Sequence, residues 1–141
     1  MTRLLMARSG IQSATEVHFV TLPESAEAAD AFRTGAVDAL CYPDPVMTQL
    51  EQEGAMRVVA DTRTPRGSEE VFGGPMPAGC LCVPEEFART QPGVCQSLAD
   101  ALVMALKWLQ TAGPSDIIKA VPESYFRGDR ALYLAAFTRA R

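Results

Sequence analysis

The stretch Phe32-Arg33-Thr34-Gly35-Ala36-Val37-Asp38-Ala39-Leu40-Cys41-Tyr42-Pro43-Asp44-Pro45 constrains this chain most, because it carries a helix stop, an apolar run, a loop and a helix start in succession. Gly35 follows a helical pattern and can adopt the left-handed conformation that closes a helix. Residues 37–41 are short and apolar, which suits a buried strand. Asp44 can accept hydrogen bonds from the first turn of a helix whose first residue, Pro45, has no N–H to satisfy. The order read from these signals is helix, strand, loop, helix.

The same signals recur on both sides. Thr2 to Ser9 carries a helical pattern ended at Ser9-Gly10, and Val17-His18-Phe19-Val20 reads as a strand. Pro23-Glu24-Ser25 is a turn and N-cap that opens a helix with an apolar stripe of Ala26, Ala29 and Phe32, joined by Ala28. Val46, Leu50 and the closing Gly54 set the extent of the helix after Pro45, and residues 56–60 read as a third strand. Strands alternating with helices predict a parallel sheet. From Asp61 to Gly79, seven prolines and glycines without periodicity read as a long loop. Residues 80–83 are a fourth strand, and Pro84-Glu85-Glu86 opens a brief helix that stops before Pro92. Val94, Leu98, Ala101, Leu102, Ala105, Leu106 and Leu109 then predict a helix over 93–112, closed by Gly113-Pro114. Two more helices are expected near 115–121 and 129–140. The expected fold class is therefore α/β, a parallel-rich sheet flanked by helices with a helical C-terminal part, divided into 1–79 and 80–141.

Composition narrows the function classes. With 141 residues, 48% hydrophobic and 21% charged, the chain has the material for a core and is not disordered. A net charge of -4 with no basic stripe leaves nucleic acid without an electrostatic reason to bind. No apolar run approaches the ~20 residues that span a bilayer, and residues 1–10 lack the apolar core and cleavage site of a signal peptide.

Catalytic and metal chemistry find little footing. Cys41, Cys80, Cys82 and Cys95 lack the usual zinc spacing and read as small buried hydrophobes, with a disulfide between distant positions left open. His18 lies between Val17 and Phe19 with no nucleophile or carboxylate at a motif spacing, so it reads as a strand-face histidine. Asp38 reads as a strand-edge hydrogen-bonding group and Glu69-Glu70 as a solvated loop, while Trp108 reads as core or lobe-contact packing. No glycine-rich phosphate loop follows a strand. No catalytic residue, metal or cofactor is expected.

Open parallel sheets gather ligands outside the carboxyl ends of their strands, where loops and helix N-termini present polar groups. Two loops qualify, Thr21-Leu22-Pro23-Glu24-Ser25 and Cys41-Tyr42-Pro43-Asp44. Tyr42 offers an aromatic face and a hydroxyl, Pro43 and Pro45 stiffen the loop, and Asp44 stands at the helix start. Tyr42, Pro43, Asp44 and Thr21 are the candidates these loops supply. The alternative is that Asp44 only caps the helix and Tyr42 only packs at the rim.

Gly35-Ala36-Val37-Asp38-Ala39 with Asp44-Pro45, then Arg57-Val58-Val59-Ala60-Asp61, then Pro84-Glu85-Glu86-Phe87-Ala88-Arg89-Thr90-Gln91-Pro92 and Leu98-Ala99-Asp100-Ala101-Leu102 resemble, in order, the substrate-binding proteins of nitrate, sulfonate and taurine ABC importers. The resemblance implies a periplasmic-binding fold of the second type, with a small-molecule ligand held between two α/β lobes. It likens 1–79 to the second lobe and 80–141 to the segment returning toward the first. It also implies a periplasmic protein partnered by a membrane permease, with Thr2 as a third ligand-facing position at the start of the first helix. The chain opens without a first strand and ends at Arg139-Ala140-Arg141 without a turn signal, so it reads as a piece of a longer protein. Such a piece would expose the stripe of its long helix, and the chain is expected to pair with itself. Two other classes share the architecture. One is the effector domain of LysR-type transcription regulators, for which no helix-turn-helix is present, and the other is a thiamine-pyrimidine-forming enzyme, whose cysteine-rich run and histidine are missing.

Overall fold

Helix ends follow local chemistry closely. In the computed structural model, which describes residues 1–77 and 79–140 and only the backbone of Ser13 and Ala14, ten helices form. Two short ones come first, α1 (Thr2–Arg8) and α2 (Ser13–Glu16). α3 (Ser25–Arg33) ends in a Schellman turn, with Gly35 at φ 72° donating to Phe32 O and Ala36 donating to Ala31 O. α4 (Val46–Gln52) ends the same way, with Gly54 at φ 66° and Ala55 donating to Leu50 O. Beyond these come α5 (Pro65–Phe72), α6 (Glu85–Thr90), α7 (Pro92–Thr111), α8 (Pro114–Ala120), α9 (Glu123–Phe126) and α10 (Arg130–Arg139). Pro92 and Pro114 each stand at the first helical position, where no N–H is needed.

The expected parallel sheet does not form, and the α/β lobe is corrected to a helical architecture: the described residues contain no strand. Residues 17–20, 37–41, 56–60 and 80–83 all lie outside the helices without pairing into a ladder. A parallel strand is stabilised only when a neighbour completes its hydrogen bonds and both faces are covered. Neither condition is met, since Val20 is 54% exposed, Val59 86% and Leu81 54%. Arg3 instead lays its guanidinium over the Phe19 ring at 3.8 Å.

The long loop expected from Asp61 to Gly79 also contains a helix, α5. Thr64 accepts from Gly67 N, Pro65 takes the first helical position, and Gly73 closes the helix at φ 78°. This is the cap, proline and glycine order of a complete helix, hidden by its shortness. The turn before it packs so tightly that a Cβ on Gly67 would lie 1.6 Å from Asp61 O. Only glycine fits there without moving the backbone.

The chain divides into two compact units, Met1–Pro75 with Ala131–Ala140, and Met76–Arg130. In the first unit, α3 packs on α4. Ala29, Val46 and Leu50 form the buried cluster, with Phe32, Leu40, Tyr42 and Met56 packed against it. The ends of α3 and α4 are also joined by a two-pronged pair, Arg33 Nη2 to Glu53 Oε1 at 2.7 Å and Nε to Oε2 at 2.9 Å. Arg8 reaches from α1 to the last carbonyls of α5, donating to Val71 O at 2.6 Å and Glu70 O at 3.2 Å. A cation is favoured there by the negative end of the helix dipole.

In the second unit α6 packs on α7, and Ala112, Ile117 and Phe126 are buried. α7 itself buries none of its twenty residues. Trp108, expected in a core or contact, is 41% exposed, and Leu102 and Leu106 are 48% and 60% exposed. The cysteines are corrected likewise: Cys41, Cys80 and Cys82 are exposed and Cys95 is half-buried.

Candidate functional site

The site grows from the start of α4. Val46 and Leu50 lie on one face of this helix and are buried against α3, while Thr48, two positions from each, lies on the opposite side, fully buried beside Asp44 and Arg63. Asp44 precedes the helix, where its Oδ1 accepts from Thr48 N at 3.0 Å and from Thr48 Oγ1 at 2.7 Å. Helical residues begin at Val46, one later than the sequence predicts, with a cis Asp44–Pro45 peptide before them. Asp44 therefore performs the capping expected of it from one position further out.

Its second oxygen meets Arg63, a residue that sequence reasoning passed over. Arg63 Nη1 lies 3.5 Å from Asp44 Oδ2 and 3.5 Å from Thr48 Oγ1. Its fork closes on Asp61, with Nη2 to Oδ2 at 2.6 Å and Nε to Oδ1 at 2.9 Å. Nη2 also lies 3.4 Å from Glu51 Oε2, and Glu51 in turn pairs with Arg139 of α10. Three carboxylates and two guanidiniums thus bind α4, the turn before α5 and α10 into one network. Arg63 holds the Asp61 carboxyl below the usual carboxylate range, chiefly by hydrogen bonding, and Arg139 does the same for Glu51. The Arg63 guanidinium is raised above its ordinary value, with Asp61 the largest cause. Charges placed this way neutralise one another, so Arg63 is not presented as an open anion receptor.

Tyr42 lies on the other side of Asp44. Its ring packs half-buried against the α3–α4 cluster, and its hydroxyl donates to Pro23 O at 3.0 Å. That bond draws together the two loops picked out as ligand-facing, the one holding Thr21 and the one holding Tyr42, Pro43 and Asp44. Thr21 and Pro43 are exposed on them. Thr2 stands half-buried in the first turn of α1, an element that Arg8 ties to α5. His18 is exposed. Among the described residues no group of three or more His, Cys, Asp or Glu could hold a metal ion. No helix among them is long and apolar enough to cross a membrane. The nearest signal for Arg63 in the sequence was Asp61-Thr62-Arg63 itself, where an Asp side chain two residues before an Arg marks a turn that can pair them.

An aromatic ring thus stands where two polar loops meet, beside a closed ion network. The model of the NMT1-like family matches residues 1–121. The chain belongs to this family of nitrate/sulfonate/taurine-binding ABC substrate-binding proteins, and its role at that level is the binding of a small-molecule solute. The curated proteins hold no match to the chain, and neither do the solved structures.

Proposed function

We propose that this chain serves as the solute-binding component of an ABC importer in the periplasm, passing a small solute of the nitrate, sulfonate or taurine kind to a membrane permease without chemical change. Family membership supports the class. The observation that carries the site is the Tyr42 hydroxyl donating to Pro23 O, because it fixes an aromatic face where the two candidate loops meet. In this reading Tyr42 supplies the contact face, Thr21 and Pro43 line the exposed edge, and Asp44 is spent on Thr48 and Arg63, holding the loop in place.

Calorimetric titration of the whole chain with nitrate, taurine and ethanesulfonate in turn tests it. One of them is expected to saturate, with Tyr42→Ala weakening it by about tenfold, or about 1.4 kcal/mol, and Tyr42→Phe by only a fraction of that. Saturation unchanged by Tyr42→Ala would remove Tyr42 from the site, and failure of all three solutes would sink the ligand class.

The exposed apolar side chains of α7 support a further part of the same reading, that the chain pairs with itself. Light scattering is expected to give a mass above that of one chain, reduced to one chain by Leu102→Glu with Leu106→Glu. A single-chain mass for the unsubstituted protein at high concentration would refute pairing.

A further inference from the structure

Cys80 and Cys82 flank Leu81 in non-helical chain before Pro84, and their sulfurs lie 3.6 Å apart, in direct contact. Both side chains are exposed. Leu81 between them is 54% exposed, so no packed core holds the segment against a small closing movement. We propose that Cys80 and Cys82 form a reversible redox site, oxidised by a low-molecular-weight disulfide to an intrachain disulfide.

The chemistry is thiol–disulfide exchange. One of the two sulfurs gives its proton to solvent and attacks a sulfur of the reagent RSSR. The reagent's S–S bond breaks, and RS⁻ leaves and takes up a proton. The neighbouring cysteine then loses its proton and attacks the protein sulfur of the mixed disulfide, forming the Cys80–Cys82 bond and expelling the second RS⁻ as RSH. Two cysteine sulfurs are oxidised by two electrons in all, and RSSR is reduced to two RSH. Contact between the sulfurs gives the second step the high effective concentration of an intramolecular reaction, so the mixed disulfide does not accumulate.

The ring that closes spans only three residues. A bridge of that span removes little freedom from the unfolded chain, so its consequence is redox rather than structural. Cys41 and Cys95 make no such sulfur–sulfur contact among the described residues, and are expected to stop at the mixed disulfide or to remain reduced.

Equilibration of the whole chain with reduced and oxidised glutathione, followed by alkylation and tryptic mapping, is the test. Peptide 67–89, which follows Arg66 and ends at Arg89, contains Cys80 and Cys82 and no other cysteine. As the poise becomes oxidising, it is expected to pass from two alkylated thiols to none, losing two hydrogens and carrying no glutathione. Cys80→Ser and Cys82→Ser, both at exposed positions, are each expected to accumulate glutathione on the remaining cysteine, at least about tenfold above the level in the unsubstituted chain. The inference is overturned if peptide 67–89 of the unsubstituted chain retains glutathione as the single variants do. It is equally overturned if that peptide stays doubly alkylated at a poise that modifies Cys41, or is recovered cross-linked to the peptide of Cys41 or Cys95.

Discussion

Leu50→Ala is expected to lower the unfolding free energy by about 2–5 kcal/mol, the range for emptying a fully buried leucine site. Leu50 has no exposed surface and sits among Ala29, Val46, Phe32, Leu40, Tyr42 and Met56. Truncation forfeits the transfer energy of the lost methyl groups and leaves a cavity that α3 and α4 fill only in part, since their ends are held by Arg33 and Glu53. Urea unfolding followed by circular dichroism gives the measurement, with the midpoint lowered and the slope retained. Val59→Ala is the control: at 86% exposed, it should change stability by about 0.5 kcal/mol or less. A Leu50 variant as stable as that control would mean that α3 and α4 do not pack as described.

Arg63→Ala has the next largest effect, a loss of about 2–3 kcal/mol at neutral pH. This lies below the full cost of breaking a buried pair because Asp61 remains 36% exposed and water screens it. The substitution leaves Asp44, Asp61 and Glu51 facing one another with only Arg139 nearby. Its pH dependence separates this cause from lost packing. In the unsubstituted protein the folded-state carboxyls of Asp61 and Glu51 titrate below their unfolded values. Their contribution is therefore complete above the unfolded carboxylate value and is lost as the pH falls through the folded one. Arg63→Ala removes the main cause for Asp61, so the gap between the two proteins should narrow below about pH 4, as protonation relieves the stranded carboxylates. A gap that stays constant from neutral pH to pH 3 would assign the loss to packing of the arginine stem instead.

Parts of the site were legible in advance, and parts could not be. Asp44-Pro45 announces a helix start, and Asp44 does serve the first turn of α4 through Thr48. The same two residues carry no sign of Arg63, because whether an arginine nineteen positions on turns back depends on how the turn at Asp61 packs against Gly67 and α5. The bond from Tyr42 to Pro23 is of the same kind. Each loop is recognisable from its prolines and polar residues, yet their meeting depends on α3 and α4 packing face to face. α5 carries complete end signals in Thr64, Pro65 and Gly73, but the helix between them is too short for periodicity to register.

By itself, the amino-acid sequence determined where helices end and which family the chain belongs to. Caps, prolines and left-handed glycines act through bonds within a few residues, and the motifs from Gly35 to Leu102 lie in order along the chain. Only the tertiary structure decided the fate of residues 17–20, 37–41, 56–60 and 80–83. An apolar run becomes a strand only when another segment completes its hydrogen bonds, and among the described residues none does. It also decided the ion network around Arg63, in which Glu51 meets Arg139 from the far end of the chain. Charges that pair across such separations are brought together by packing, and no local pattern encodes their distance.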